Sequence, residues 1–225
     1  MAYQIPEHGL VVIDKPTGMT SFGVVARIRR VLSRQMGKKV KVGHTGTLDP
    51  FASGVMLLVT GAECKNAAQY SKLDKIYEAI FYLGAHSTTG DPEGQIIYEE
   101  APLVPNKITV QAALKKFEGQ ITQRPPIFSA IKIAGKRAYQ LARDGKEVEI
   151  PERTVTVHSL ELLSYQYPLL KVRAHVSSGT YIRSLAVDVA KTLGSTAYCT
   201  ELRRISVAEW NLEQAATLAD FGIDS

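Results

Sequence analysis

Cysteine is scarce in this 225-residue chain. Cys64 and Cys199 are the only two, they lie far apart, and neither belongs to a ligand-spaced Cys or His pair. Both are expected as reduced thiols, which removes a disulfide framework and a structural zinc site from consideration. No apolar run approaches the roughly 18 residues needed to cross a bilayer. Residues 1–9 lack a basic region followed by an apolar core, so the expectation is a cytoplasmic protein with no membrane partner. The Gly-Lys-Ser/Thr pattern of a phosphate-binding loop is missing as well, and the turn-rich cluster 87–94 therefore reads first as a connection between strands. Internal repeats, low-complexity stretches and flexible linkers are also missing. A single mixed α+β domain follows from strand and helix signals that alternate, with several strands consecutive.

What is present is ordinary in amount and uneven in placement. The chain is 45% hydrophobic and 22% charged, enough for a sizeable core and too apolar for disorder. Its 27 basic against 22 acidic residues give a net charge of +5, a weak argument for a polyanionic partner. Distribution is more informative. Arg27, Arg29, Arg30, Arg34, Lys38, Lys39 and Lys41 follow one another with no acid among them, whereas the tail from Val207 carries Glu209, Glu213, Asp220 and Asp224 with no Lys or Arg.

In chain order, a short β-rich run at 10–13 closes in an Asp-Lys-Pro-Thr-Gly turn. Thr20 or Ser21 caps a helix that buries Val24, Val25, Ile28, Val31 and Leu32 and groups Arg27, Arg30 and Arg34 on a second face. That cationic face is either a solvated helix surface or a track for a nucleic-acid backbone. Strands are expected at 54–60, 75–83, 154–157, 160–165, 169–176 and 198–207, with 75–83 largely buried and 169–176 wet on one side. Helical stretches are expected at 62–71, after a Thr109 cap and ending at Gly119, at 137–143, from Ser177 onward with Gly194 as terminator, and near 212–218.

Three features invite a functional reading. The loop 43–50, Gly-His-Thr-Gly-Thr-Leu-Asp-Pro, suits neither a helix nor a plain strand and is suited to presenting one carboxylate, Asp49. A polar turn whose Asp caps the backbone would look the same. Arg183 stands in the first turn of its helix, where a cation opposes the macrodipole, beside small neighbours at Ala186 and Ala190. It is either solvated or held near the buried edge by a carboxylate. Between Arg124 and Arg153 a proline turn and several basic residues form an excursion, either a binding loop or a surface insertion.

The motifs together resemble one family, the bacterial tRNA pseudouridine-55 synthases, or TruB-like pseudouridine synthases. The resemblance runs through 14–21 (Asp-Lys-Pro-Thr-Gly-Met-Thr-Ser), 43–50, Lys75-Ile76-Tyr77, Arg124-Pro125-Pro126 with Ser129-Ala130, Arg137-Ala138-Tyr139, and 178–185 (Ser-Gly-Thr-Tyr-Ile-Arg-Ser-Leu). It implies a mixed, mostly antiparallel sheet with flanking helices around a central RNA-binding cleft, in one catalytic domain with a thumb-like insertion at 124–153. Asp49 is implied as the catalytic aspartate, Tyr77 as the aromatic residue against the target base, and Arg183 as the arginine that pairs with the aspartate. On the substrate-binding side it implies His44 at the T-loop, Leu202 as an apolar wall, Tyr181, and the thumb residues Arg124, Lys132 and Arg137. Lys15 is implied as structural or RNA-facing.

The implied reaction isomerises one uridine in the T-loop of tRNA. The bond from N1 to the ribose breaks, the base turns, and C5 joins the same carbon. No metal or cofactor is implied, and the partner is the T-arm of tRNA, bound by a monomer with no obligate protein partner. Many family members continue into a C-terminal RNA-binding domain of the PUA type, which is not evident here, and the expectation is binding that rests on the T-arm more than on the acceptor end. Two other readings stand beside the isomerase: an RNA-binding factor that folds tRNA and modifies it secondarily, and a guide-dependent relative, for which nothing in the sequence indicates docking partners.

Overall fold

The computed structural model describes residues 4–129, 131–133, 136–138 and 150–223, with the backbone alone for Lys132, Ile133, Lys136 and Arg137. In chain order the elements are β1 (Gly9–Lys15), α1 (Ser21–Gln35), β2 (Val42–His44), β3 (Ser53–Thr60), a 3-10 stretch Gly61–Asn66 running into α2 (Ala67–Ser71), and β4 (Lys75–Leu83). Then come β5 (Ala85–Ser87), β6 (Ile96–Tyr98), α3 (Lys107–Lys115), β7 (Gly119–Gln123), β8 (Lys132–Ile133), β9 (Lys136–Arg137) and β10 (Arg153–Gln166). The chain closes with β11 (Leu169–Val176), α4 (Ile182–Thr192), β12 (Ala197–Val207), β13 (Trp210–Asn211) and 3-10 turns at Leu212–Gln214 and Ala219–Phe221. Two compact units result, Met1–Tyr77 with Arg203–Ser225 and Glu78–Leu202, so that β4 and β12 each begin in one unit and end in the other.

The first unit is built on β3. Its apolar run is nearly continuous because both faces are covered. Met56 and Leu58, with Val11 and Ile13 of β1, join the cluster that contains the α1 residues Val24, Val25, Ile28 and Leu32. Val55 and Leu57, with Val12, pack with Val207. Thr20 starts α1 by accepting from the Gly23 amide at 2.9 Å. Burial of the four α1 residues removes apolar surface worth on the order of 8 kcal/mol before conformational entropy is counted. Both edges of β3 are occupied. β1 runs antiparallel along one, from Gly9 against Thr60 to Lys15 against Gly54. The other is shared: β2 pairs antiparallel with 58–60, and β12 pairs parallel at Ser53 and Gly54. The parallel register brings backbones so close that a Cβ on Gly54 (φ +105°) would stand 2.2 Å from the Arg204 carbonyl oxygen, so glycine is required there.

In the second unit the strand order is β4, β11, β10, β7. β11 and β7 both pair antiparallel with β10. Leu170, Val172, Ala174 and Val176 of β11 are buried while the residues between them are exposed or half-buried, the expected alternation. α3 lies against β10 and α4, and α4 buries Ile182, Leu185, Ala186, Val189 and Ala190 before ending where Gly194 takes φ +70°.

The α+β class with a mixed, mostly antiparallel sheet is what the sequence predicted. Local differences have local causes. Gly43 and His44 belong to β2, because the free edge of β3 offers their backbone a ladder. α3 is capped by Asn106, whose side chain accepts from the Thr109 amide at 2.9 Å, one turn ahead of the expected Thr109 cap, and it ends at Lys115 because Gly119 opens β7. The strands expected at 154–157 and 160–165 are one strand, β10, with irregularities after Val157 and Leu162 that let it continue. The tail helix near 212–218 is replaced by two 3-10 turns, the first closed by a capping box between Asn211 and Gln214. Arg137, expected to start a helix, pairs with Lys132 across the β8–β9 hairpin, and 139–143 lie outside the described residues. Strand β4 alternates buried with half-buried residues where both faces were expected to be covered. Among the described residues no helix is long and apolar enough to cross a membrane.

Candidate active site

In the first unit, the backbone on each side of Asp49 is held by side chains from elsewhere. The hydroxyl of Ser21 at the start of α1 accepts from the Leu48 amide at 2.8 Å and donates to the Leu48 carbonyl at 2.9 Å. On the other side, the ammonium of fully buried Lys15 donates to the carbonyls of Pro16 (2.7 Å), Met19 (2.6 Å) and Pro50 (3.3 Å). The Gly18 amide also donates to Pro50, at 2.8 Å. Thr45 extends the β2 ladder by donating its amide to Leu57, and Ala52 closes the turn by donating to the Asp49 carbonyl, both at 3.1 Å. Leu48 is buried and Asp49 half-buried, so the loop is anchored by an apolar plug and presents the carboxylate at its surface. Lys15 therefore acts on this loop through its carbonyls. His44 ends β2, and Tyr77 is buried in β4 within the same unit.

The second unit holds Arg183, Tyr181, Leu202 and Arg124. Arg183 is not solvated: only 3% of it is exposed. Its Nη1 donates to Asp91 Oδ2 at 2.9 Å and to the Thr89 carbonyl at 2.8 Å, and Nη2 donates to the Phe128 carbonyl at 2.8 Å. The Asp91 carboxylate also accepts from the Thr89 hydroxyl and from the Glu93 amide at 3.1 Å, which shapes the turn 87–94 around the guanidinium. Thus the cation in the first turn of α4 is compensated by a carboxylate, the second of the two outcomes its position allowed. Tyr181, the residue before α4, is fixed by buried Gln123, which accepts from its amide at 2.8 Å and donates to its carbonyl at 3.0 Å. The Arg153 guanidinium lies 5.3 Å from the Tyr181 ring centroid. Leu202 is buried in β12. Arg124 pairs with Glu152 at 3.2 Å, but both side chains are more than half exposed, so this pair adds little stability and leaves the guanidinium accessible. For Lys132 and Arg137 the side chains lie outside the described residues.

With this geometry in place, the relationship to known proteins can be stated. The description "TruB family pseudouridylate synthase (N terminal domain)" belongs to the family model that matches residues 30–182. The chain belongs to the TruB family. Curated relatives named tRNA pseudouridine synthase B include one from Fusobacterium nucleatum, 45% identical over 206 residues that cover 92% of this chain and 70% of that protein. Another, from Phocaeicola vulgatus, is 42% identical over 219 residues, covering 96% of this chain and 92% of that protein. Among solved structures, a chain of a Cbf5-Nop10-Gar1 complex superposes with a TM-score of 0.72 at 30% identity, over 95% of this chain and 53% of that one. An H/ACA RNP bound to a substrate RNA containing 2'-deoxyuridine gives 0.67 at 26% identity, over 97% and 58%. The chain spans little more than half the length of those two solved chains.

In this TruB-family chain, four residues that hold these segments were not singled out in the sequence for that role: Ser21 and Arg204 in the first unit, Asp91 and Gln123 in the second. Asp91 stood in a cluster read as a simple turn. Arg204 carried a signal, since the buried phase of β12 runs Leu202, Arg204, Ser206 and so puts an arginine where the pattern calls for an apolar side chain.

Lys75 is a further buried cation in the first unit, after Lys15 and Arg204. Burial, and next the nearby charge of Arg204, push its ammonium down to about 8, with Asp74 opposing. Its Nζ donates to the carbonyls of Ser71 (2.8 Å) and Leu73, at the end of α2. The unfolded chain retains the proton up to an ordinary lysine value near 10.5, so it binds more protons than the folded protein between about pH 8 and 10.5. Stability is therefore expected to rise with pH across that window. Discounted for screening of a partly hydrated group, the gain is about 1 kcal/mol between pH 7 and 9.5. Urea titrations of wild type and Lys75→Met at both pH values measure it, and an equal pH response in the two proteins contradicts it.

Proposed function

We propose that this chain isomerises uridine to pseudouridine in the T-loop of tRNA, at position 55 in tRNA numbering, acting as a cytoplasmic monomer without an obligate protein partner. Family membership and the names of the curated relatives support the reaction and the tRNA substrate. The observation that carries the reading for this chain is the clamp on both neighbours of Asp49, which keeps one half-buried carboxylate on a rigid loop.

In this reading Asp49 attacks the base or the ribose, or stabilises positive charge on the ribose, while N1 separates from the sugar. The base turns and C5 takes the bond to the same ribose carbon, after which the C5 proton is lost to Asp49 or a water. Tyr77 packs against the target base and His44 meets the T-loop. The uridine reaches Asp49 by leaving its stack, at a cost of a few kcal/mol.

Phosphate contacts offset that cost. Arg30, Arg34, Lys39 and Lys41 are exposed on or just after α1, and Arg124 is exposed in the thumb. With about four phosphates neutralised, affinity for tRNA is expected to fall roughly 100-fold between about 50 and 200 mM salt, and a filter-binding series that stays flat would contradict this. The reaction itself is tested by tritium release from C5-labelled uridine. Release from unmodified tRNA and from an isolated T-arm hairpin is expected, and its absence from both overturns the proposal.

A further inference from the structure

The first unit contains a buried guanidinium that the reaction as described does not use. Arg204 is 2% exposed. Its Nε donates to the Val55 carbonyl at 2.6 Å, its Nη2 to the Gly46 carbonyl at 3.3 Å, and its Nη1 to the Tyr77 hydroxyl at 3.5 Å. These partners are two carbonyls and a phenol, all neutral. Burying a charge against neutral partners is expensive compared with an apolar side chain of the same volume. A core that needed only filling would not place arginine there.

The location explains what the charge does. Along the edge of β3 opposite β1, residues 58–60 pair with β2, and Ser53 and Gly54 pair with β12. The loop that presents Asp49 runs from the end of β2 to the start of β3 and passes the stretch between those two partners, where Leu57 accepts the Thr45 amide. Val55 also falls in this gap in the ladder, and the Arg204 side chain supplies a donor to its carbonyl. The same guanidinium reaches the loop at Gly46, three residues before Asp49, and the phenol of Tyr77. An added Cβ on Gly46 would meet Arg204 Nη1 at 3.5 Å, so the loop backbone passes directly over the fork. Because the Tyr77 oxygen accepts from Arg204, its own O–H is left to point elsewhere.

We propose that Arg204 is a positioning residue for the isomerisation: one planar fork holds the Asp49 loop, through Gly46, against Val55 of β3 and in register with the Tyr77 ring. Lysine cannot reproduce three donors in fixed directions. This rests on the assignment of Asp49 and Tyr77 to the reaction.

The test measures single-turnover tritium release at saturating tRNA, alongside tRNA affinity and thermal midpoint, for Arg204→Lys, Arg204→Met, Tyr77→Phe, and Arg204→Met combined with Tyr77→Phe. Asp49→Asn is run in parallel. The expected result is a rate roughly 30-fold lower or more in Arg204→Met, a size in keeping with misplacement of a reacting group. Affinity should be nearly unchanged, Arg204→Lys should recover only part of the rate, and the Arg204→Met loss should be smaller in the Tyr77→Phe background because one shared contact is already gone. A folded Arg204→Met protein with wild-type rate overturns the proposal, as does a loss confined to affinity or one strictly additive with Tyr77→Phe. If Arg204→Met does not fold, Arg204→Lys carries the test, and failure of both to fold assigns Arg204 to the core and also overturns it. An active Asp49→Asn, by contrast, removes the assignment on which the proposal rests and is thereby distinguished from failure of Arg204 alone.

Discussion

Asp49→Asn is expected to lower pseudouridine formation by at least about 10⁴-fold, the scale seen when a residue that performs covalent or charge-stabilising work is removed. The hydrogen bonds from Arg204, Ser21 and Lys15 to this loop go to the backbones of Gly46, Leu48 and Pro50, and an isosteric amide at 49 does not remove them. What is lost is the negative charge and the nucleophilic oxygen. Affinity for a T-arm hairpin should therefore remain close to wild type while tritium release vanishes. That separation also decides between the isomerase and an RNA-folding factor. If the variant remodels tRNA as wild type does, folding is an activity in its own right, and if every effect disappears with the chemistry, it is not. Turnover within tenfold of wild type would remove Asp49 from the reaction.

The second large effect is expected at Asp91. Its carboxylate and the Arg183 guanidinium are 2.9 Å apart with side chains 5% and 3% exposed. Asp91→Ala removes a buried charge-assisted pair and is expected to destabilise the second unit by about 3 kcal/mol. Asp91→Asn isolates the electrostatic part. An ionised carboxylate accepts at every position, and here it accepts from the Thr89 hydroxyl, the Glu93 amide and Arg183. An amide placed there must turn an N–H toward one of those donors, so the substitution is far from conservative despite its shape. Urea midpoints followed by circular dichroism give the stability, and tritium release gives the consequence for Arg183. Wild-type stability in Asp91→Ala would show that the pair is not what holds this turn and helix together.

Most of the fold could be read from the chain because its signals are local. Period-2 alternation marks β11, a continuous apolar run marks β3, and Thr20 followed by apolar positions at helical spacing marks α1. The loop 43–50 stood out for the same reason, since Gly, Asp and Pro restrict the backbone wherever they occur, although a polar turn with a capping Asp would look the same. Expectations failed where a neighbour distant in sequence decided the outcome. Gly43 and His44 became a strand because β3 offers them an edge. Arg183 was left between a solvated cation and one held by a carboxylate, and the turn cluster that supplies Asp91 carried no mark of that role.

The amino-acid sequence by itself determined most of the elements, the α+β class and the family, and it singled out Asp49 as the residue proposed for the reaction. Each of these depends on residue types within a few positions of one another, or on several such motifs in a fixed order. Only the tertiary structure decided which side chains hold the site. Asp91 meets Arg183 across 92 positions and Arg204 meets Val55 across 149, and no periodicity or spacing encodes a hydrogen bond at that range. The Arg204 bond follows from sheet register, which puts a buried donor opposite a carbonyl left without a ladder partner, and the Asp91 bond from a turn folded against the start of α4; in both, the cost of an unmet buried polar group fixes the pairing.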